Sequence, residues 1–503
     1  MVKYEIHESG TGEEVPVYRD DTGRTHALHS LIDPRKEAKR LIDTVENEGF
    51  LIFLGLGGGF FIEEALKREG TCIVIIIEYD NDAISKLLTL KDYSKIISDK
   101  RCLLLVDLGR NEITEKIINL YKPVLHSGIR VLPLRPRVAQ NPDDFINAIS
   151  AVEEAIERVK TDYSVQAHFG KKWFSNIINN LKFSYRTMQN LPVIQKAAVI
   201  AAGPSLNFQI KEVKKRVNDF FLIATDTSLP RLLSEEIIPD AIISIDCQQV
   251  SSHHFMAGIP KSSLLFIDLL SPPLLSTLSE NIYFFSGGHP LTRYISSLDK
   301  NIFELDTSGG NVTFAGISLA EYLGAEEIVV YGADFSYPHG VTYAKGTYVY
   351  PYFESRQNRF SPIEAQCSAF LYRTPLEKKY NDAGNWYYET ASMKFYREKL
   401  EEKSAIFQAK LIPAAGEGAR INVRENSYNR ITQSSRRAQR DFDIKQFMEN
   451  YIEALKKIEH DLNANNLILS TILPLAAFIK KQHPELNSRE LLINTVRHCL
   501  KKI

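Results

Sequence analysis

The chain has 503 residues, a formal net charge of -1 at pH 7 and 44% hydrophobic residues, the composition of an ordinary globular protein. Its length exceeds a single hydrophobic core, so about two to three domains are expected, and its near-neutral charge argues against nucleic acid as the main partner. The five cysteines lack CxxC spacing, which argues against a zinc site or a disulfide framework and favours the cytoplasm. The N-terminus lacks a signal-peptide pattern, and the apolar stretch at 467–479 is too short to cross a bilayer, so no membrane span is expected.

The first predicted domain, residues 1–142, has the pattern of a small Rossmann-like sheet. A polar, hairpin-like segment covers residues 1–30, and a helical pattern follows Pro34. An apolar run then enters the glycine-rich turn Gly55–Gly59, and the next run ends at Glu78, where Rossmann-type sites hold a ribose. The glycine spacing departs from GxGxxG, so two interpretations stay open: a nucleotide or S-adenosylmethionine site, or close packing of a helix on a strand.

Residues 143–190 predict a helical linker with one apolar stripe, and residues 191–425 predict the central domain. The apolar run from Ala197 to Ala202 indicates a strand buried on both faces of a parallel sheet. It ends in the turn Gly203-Pro204-Ser205, after which a helix is expected from near Phe208. Backbone N–H groups at such a turn form an anion site, although a tight turn without a ligand fits the same residues.

Further apolar runs of the central domain end in an aspartate or in a pair of glycines. The runs are 220–228, 240–248, 264–270, 282–290 and 327–335, and their aspartates are Asp226, Asp246, Asp268 and Asp334. Because parallel strands end at one edge of a sheet, a substrate cleft is expected there. Each aspartate alone also fits a helix cap or a turn. A second anion-type cradle is predicted at the turn 308–311, which opens a helix containing Thr313.

Residues 426–503 have a helical pattern with apolar residues on one face. Such a domain fits acceptor docking or self-association into a homo-oligomer, and a bundle that only covers a sheet edge fits equally well. The expected fold class is α/β, with a central doubly wound, mostly parallel sheet, a smaller Rossmann-like N-terminal domain and a helical C-terminal domain.

Several motifs, taken as an ordered set, resemble the motility-associated factor (Maf) family of flagellin glycosyltransferases. They are AAGPSLN at 201–207, TSGGNVT at 307–313, VVYGADFSYP at 329–338, and the strand-end Asp226 and Asp246. The resemblance is strongest over about residues 190–415, and it implies a central domain of the sialyltransferase-like, GT-A-like type. It also implies a CMP-activated nonulosonic acid as donor, of the pseudaminic or legionaminic type. The implied acceptors are Ser or Thr hydroxyls of flagellin, in support of flagellum assembly and motility.

The resemblance implies site residues as well. Those expected to bind the nucleotide are Gly203, Pro204, Ser205, Asp226, Ser308, Gly309, Gly310, Thr313, Asp334 and Phe335. A tyrosine-rich loop at 335–353 is expected to close over the donor, with Tyr343 bonding the departing phosphate and His339 or Asp246 acting as the base. The same loop also fits ordinary aromatic packing. The central domain has no convincing DxD, so no metal is assigned, and dependence on a divalent metal stays open.

Two other functions fit the same motifs. The central motif also resembles the short archaeal 6-hydroxymethylpterin pyrophosphokinases, which implies ATP and magnesium at the equivalent turns. A non-catalytic flagellin-binding protein that keeps the fold is the third reading. The long flanking domains of this chain favour the glycosyltransferase.

Overall fold

The computed structural model describes residues 4–20, 22–184, 187, 190–424, 442–460 and 466–503. Parts of the predicted linker and of the predicted C-terminal domain, at 185–186, 188–189, 425–441 and 461–465, lie outside the described residues. The chain divides into two compact units, Met1–Gly170 with Leu473–Thr495, and Lys171–Ile472 with Val496–Ile503. The four-part domain division made from the sequence stays a prediction.

The helices and strands of the described residues are numbered in chain order. The strands are β1 (Tyr4–Glu8), β2 (Glu14–Arg19), β3 (Thr25–Ala27), β4 (Phe50–Leu54), β5 (Ile73–Glu78), β6 (Cys102–Val106), β7 (Ile129–Pro133), β8 (Lys196–Ile200), β9 (Phe221–Thr225), β10 (Ala241–Ser244), β11 (Leu264–Asp268), β12 (Ile282–Ser286), β13 (Phe303–Glu304), β14 (Glu327–Tyr331), β15 (Tyr337–Pro338), β16 (Glu377–Tyr380), β17 (Trp386–Glu389) and β18 (Lys410–Pro413). The helices are α1 (Pro34–Ile42), α2 (Phe60–Leu66), α3 (Asn81–Leu90), α4 (Ser94–Ile97), α5 (Arg110–Leu120), α6 (Pro123–His126), α7 (Arg135–Val138), α8 (Pro142–Leu181), α9 (Leu206–Lys215), α10 (Leu229–Ser234), α11 (Pro290–Leu298), α12 (Val312–Tyr322), α13 (Val349–Glu354), α14 (Ile363–Leu371), α15 (Ala391–Ser404), α16 (Ile444–His460), α17 (Asn466–Gln482) and α18 (Ser488–Lys502).

The first unit contains the predicted small parallel sheet, with strand order β6-β5-β4-β7. The polar segment at its start forms the antiparallel sheet β1-β2-β3, as the hairpin pattern predicts. Helix α1 begins where the sequence indicates, because Asp33 accepts a hydrogen bond from the backbone N–H of Lys36 (2.8 Å) and Pro34 occupies the first turn. The strands β4 and β5 are buried on both faces, which explains their continuous apolar runs.

The second unit is built on an eight-stranded parallel sheet with the order β13-β12-β11-β10-β9-β8-β14-β18. From β8 the chain proceeds strand by strand to β13, then returns through α12 to place β14 on the other side of β8. This reversal makes the boundary between β8 and β14 the topological switch point, where open α/β sheets bind their ligands beyond the carboxyl ends of the strands. Helix α12 packs on the sheet so closely that a Cβ at Gly316 would lie 2.9 Å from Val199.

These sheets, with the helical C-terminal region, confirm the predicted fold class. Two details differ from the sequence patterns. The helix after the Gly-Pro-Ser turn begins at Leu206 rather than near Phe208. A small antiparallel sheet, β15-β17-β16, and the helices α13 and α14 interrupt the central domain, and no period in the sequence indicates them. Within the described ranges, no helix is long and apolar enough to span a membrane.

Candidate active site at the carboxyl edge of the central sheet

The Gly-Pro-Ser turn after β8 is held by the neighbouring strand-end loop rather than left open. The backbone N–H of Ser205 donates to Oδ2 of Asp334 (2.8 Å), and its hydroxyl donates to Oδ1 of the same carboxylate. The Ser205 hydroxyl also accepts from the backbone N–H of Glu417 (2.9 Å), in the loop after β18. A Cβ at Gly203 would collide with the Asp334 carboxylate, so only glycine fits that position. The predicted anion cradle therefore holds an anion supplied by the protein itself.

Asp334 lies across the switch point and is almost entirely buried. Burial raises the pKa of its carboxyl, and the hydrogen bonds from Ser205 and from the backbone of Gly418 oppose that rise. Phe335, the next residue, has a positive φ of 42° and packs on the main hydrophobic core. Three of the predicted nucleotide-binding residues, Gly203, Ser205 and Asp334, thus contact one another and hold the two loops together.

A cavity of about 510 Å³ opens beside this group. Its lining includes Ser205, Gln209 and Asp334 at the switch point, and Asp382 and Arg420 at the rim. The Arg420 guanidinium pairs with Asp382 (2.6 Å), and both side chains are about three-quarters exposed. The loop after β18 supplies most of the remaining wall as small residues.

Asp226 and Asp246 lie at the ends of the adjacent strands β9 and β10. Asp226 is buried and accepts hydrogen bonds from the backbone N–H of Thr227 (2.7 Å) and from the hydroxyl of Ser244 (2.7 Å). Asp246 is half-buried and accepts from the backbone N–H of Gln248 (2.9 Å). Burial raises the pKa of Asp246, and the nearby charge of Asp226 raises it further. The two carboxylates are therefore close enough to interact, as their strand-end positions predict.

Hydrogen bonds hold the tyrosine-rich loop to the residues on either side of the Gly-Pro-Ser turn. The backbone N–H of Ala344 donates to the carbonyl of Ala202 (2.9 Å), and that of Lys345 donates to the side chain of Asn207 (2.9 Å). Tyr343 is thereby positioned at the carboxyl end of β8. Burial raises the pKa of its hydroxyl, and the nearby Asp226 adds to that rise.

Three residues near Asp226, Asp246 and Tyr343 are not among the predicted site residues. They are Tyr348, His254 and Arg373. The Tyr348 ring packs edge-on against His254, with 4.3 Å between ring centroids, and burial raises the pKa of the Tyr348 hydroxyl. Burial raises the pKa of the Tyr337 hydroxyl, and the nearby Arg373 guanidinium opposes that rise. Tyr348 lies in the tyrosine-rich run and could have been selected there. No sequence pattern indicates that His254 and Arg373 lie near these residues, because their positions depend on how a 3-10 helix and α14 pack.

His339 contacts other residues than those around Asp226 and Asp246. It has a positive φ of 52°, its backbone N–H donates to the carbonyl of Trp386 (3.1 Å), and its Nε2 is 3.8 Å from the Glu417 carboxylate. These contacts are with the β17 hairpin and the loop after β18. Asp246 and Tyr343 belong instead to the cluster at the ends of β9 and β10.

The second glycine-rich turn opens α12 as predicted, with Asn311 as the cap accepting from the backbone N–H of Phe314 (2.9 Å). Ser308 and Gly310 are exposed, Gly309 is buried against Phe314, and Thr313 is half-buried. Hydrogen bonds link this turn to the end of β12, where the Thr307 hydroxyl donates to the carbonyl of Gly287 (2.7 Å). No bond joins it to Asp226 or Tyr343 among the described residues.

The glycine-rich turn of the first unit favours the packing interpretation. All residues from Gly55 to Gly59 are buried, and a Cβ at Gly55 would lie 2.8 Å from the side chain of Arg137. Glu78 is fully buried and bound by the Arg137 guanidinium (2.9 Å) and by the backbone N–H of Leu56 (2.6 Å). The carboxylate expected to hold a ribose is therefore committed to an internal ion pair.

Comparison with known proteins matches both resemblances. The model of the family described as 6-hydroxymethylpterin diphosphokinase MptE-like matches residues 171–340. An uncharacterized protein of Treponema pallidum (strain Nichols) is 31% identical over 172 residues, which cover 34% of this chain and 82% of that protein. The chain belongs to the same family as this Treponema protein.

A second uncharacterized Treponema pallidum protein is 32% identical over 153 residues, and the match covers about half of it (54%). Among solved structures, the Maf glycosyltransferase from Magnetospirillum magneticum AMB-1 has the same fold, with a TM-score of 0.58 at 14% sequence identity. That similarity covers 99% of this chain and 86% of the other. The chain thus has the Maf glycosyltransferase fold, with an MptE-like match in its central part.

Proposed function

We propose that the chain is a glycosyltransferase that moves a nonulosonic acid, of the pseudaminic or legionaminic type, from a CMP-activated donor to Ser or Thr hydroxyls of flagellin. One observation carries the proposal: Asp226 and Asp246 stand at the ends of neighbouring strands beneath a tyrosine loop that is fixed to the Gly-Pro-Ser turn. This arrangement lies at the sheet edge where nucleotides bind in open α/β folds. The Maf fold of the whole chain supports the reaction class.

The cluster supplies the groups that such a transfer needs. Carboxylates accept hydrogen bonds from sugar or base donors, which suits Asp226 as a ligand of the nucleoside. Tyr343 and Tyr348 carry hydroxyls of raised pKa, which stay protonated and can donate to a departing phosphate. Asp246, half-buried and ionisable near the reacting groups, is proposed as the base that takes the acceptor proton. The five free cysteines suit a reducing compartment, and we place the reaction in the cytoplasm.

The MptE-like match favours a second candidate, an ATP- and magnesium-dependent pyrophosphokinase acting on a pterin. Asp226 and Asp246 are the strand-end carboxylates that would hold a metal in that reaction, where it would neutralise the phosphates of ATP. Among the described residues, no group of three His, Cys, Asp or Glu side chains is arranged to hold a metal ion. The two functions differ in the nucleotide that they require, CMP or ATP with magnesium, so nucleotide binding distinguishes them.

Calorimetric titration with CMP and with ATP plus magnesium tests the proposal. Wild type is expected to bind CMP, and Asp226→Asn is expected to weaken that binding by roughly 10-fold or more, through the loss of a hydrogen bond to an ionised acceptor. Asp219→Asn, an exposed aspartate on the same unit, serves as the matched control and is expected to bind like wild type.

Preferential binding of ATP with magnesium would overturn the donor and favour the kinase. Incubation with a CMP-activated nonulosonic acid and flagellin then tests the acceptor, read as a mass increase on flagellin. CMP binding without transfer by any preparation would point to a flagellin-binding protein that has lost catalysis.

A further inference from the structure

Arg373 lies two residues after the end of α14. Its guanidinium carbon lies 3.8 Å from the centre of the Phe370 ring, and that ring packs against Tyr343 with 6.1 Å between centroids. The Arg373 guanidinium also lowers the pKa of the Tyr337 hydroxyl, against the rise that burial causes. The cation therefore lies on the Phe370 ring, which in turn packs against Tyr343.

Arg373 has no carboxylate partner among the described residues, in contrast to Arg397 and Arg420 of the same unit. Arg397 pairs with Glu389 and Glu401, and Arg420 pairs with Asp382. Within the described ranges, no carboxylate comes within ion-pair distance of Arg373, which is exposed. Its neighbours are instead tyrosines whose pKa values are raised by burial and lowered in part by the Arg373 charge. Protonated phenols and a guanidinium are all hydrogen-bond donors, so together they favour an anion.

A donor with a phosphate needs such a cation at this edge of the sheet. Asp226 and Asp246 both add to the rise that burial causes in the pKa of the Tyr348 hydroxyl, so both carboxyl groups lie near it. Two carboxylates near the sugar-nucleotide would repel its phosphate unless a positive charge stood between them. Arg373 also acts on the hydroxyls of Tyr343 and Tyr348, so its charge reaches the same space.

We propose that Arg373, with the hydroxyls of Tyr337 and Tyr343, forms an anion subsite that holds an acidic group of the donor. The acidic group is either the phosphate of the nucleotide or the carboxylate of the nonulosonic acid. The inference rests on the proposed function for the identity of the donor. Arg373 acts as a positioning and specificity residue, and α14 carries it over the site.

The test compares each nucleotide with its own nucleoside. Dissociation constants are measured for CMP against cytidine, UMP against uridine and ATP against adenosine, and also for CMP-N-acetylneuraminate against CMP. The proteins are wild type, Arg373→Ala, Arg373→Lys and the control Arg356→Ala, another arginine of this insertion that lies over an aromatic ring, Tyr352 (4.2 Å). Arg373→Ala is expected to weaken binding of the anionic ligand by roughly 10- to 100-fold while leaving the uncharged nucleoside unchanged.

The arms separate the possible outcomes. If Arg373→Ala weakens the binding of nucleotides but not of nucleosides, Arg373 binds the phosphate. If it weakens only the binding of CMP-N-acetylneuraminate, Arg373 binds the carboxylate. Partial rescue by Arg373→Lys and normal binding by Arg356→Ala support a charge effect over a folding defect. Equal weakening of nucleotide and nucleoside, or no change, overturns the subsite. If wild type binds ATP more tightly than adenosine but binds CMP no more tightly than cytidine, the proposed donor is wrong. The effect of Arg373→Ala on ATP and adenosine binding then tests the subsite.

Discussion

Ser205 and Asp334 are 129 residues apart in the chain and are joined by two hydrogen bonds across the switch point between β8 and β14. The link connects the turn between β8 and α9 with the loop that follows β14. Because the Asp334 carboxyl is buried, each of these bonds compensates for lost hydration. The pair therefore fixes the geometry of the edge on which the candidate site is built.

Ser205→Ala tests the strength of this link. The substitution removes the hydroxyl that donates to Asp334 and accepts from Glu417, leaving a buried carboxyl short of one donor. We expect the free energy of unfolding to fall by about 1–3 kcal/mol, the cost of an unsatisfied buried group. Urea denaturation measures it, with Ser297→Ala as control, since that exposed hydroxyl bonds only its own helix. Equal stability of the two variants would contradict the structural role of Ser205.

Asp268 predicts a pH dependence of stability. Burial raises the pKa of its carboxyl to about 7, against an unfolded value near 3.8. Between these values the folded state binds more protons than the unfolded state, so stability falls as pH rises from about 4 to about 7.

In Asp268→Asn this contribution is absent, so the stability of the variant relative to wild type should improve over that pH range. The expected change is up to a few kcal/mol. Denaturation curves at several pH values measure it. A difference between wild type and variant that stays constant with pH would show that Asp268 does not titrate in this range.

Arg137→Ala tests the buried ion pair in the first unit. The substitution leaves the Glu78 carboxylate buried without its cation and opens space beside Gly55. We expect a loss of about 3–5 kcal/mol in that unit. Arg110→Ala, which removes an exposed pair with Glu154, should cost at most about 1 kcal/mol. Hydrogen exchange of the amides in β4 and β5 reports on this unit alone. Protection equal to wild type in Arg137→Ala would refute a stabilising role.

Asp246 and His339 give opposite expectations as the base of the proposed transfer. Asp246→Asn should lower kcat by roughly 10²- to 10⁴-fold, the usual contribution of a positioned base. His339→Ala should change kcat little, because His339 contacts Glu417 and Trp386 rather than the strand-end cluster. Single-turnover transfer from a CMP-activated donor measures both. Since the pKa of Asp246 is raised, the acidic limb of kcat/KM should lie above the range of an ordinary aspartate. The reverse ranking of the two variants would make His339 the base.

The sequence alone determined the parallel strands of the central sheet and the edge at which they end. The apolar runs ending in Asp226, Asp246 and Asp268 predict parallel strands, since strands buried on both faces need continuous apolar residues. The helix after Pro34 and the helix opened by the turn at 308–311 are also predicted, since local patterns of apolar and turn residues indicate where a helix begins. That parallel strands end on one edge then brought the aspartates to a common side.

Only the tertiary structure decided the partners of these residues. Asp334 occupies the donors of the Gly-Pro-Ser turn, and Arg137 occupies the carboxylate of Glu78, although neither partner is near in sequence. Phe370 of α14, which carries Arg373 on its ring, reaches Tyr343 only because a helical insertion folds back on the tyrosine-rich loop. A side chain at the end of a strand can serve a ligand or a neighbouring loop equally well, and the choice depends on long-range packing that no local pattern records.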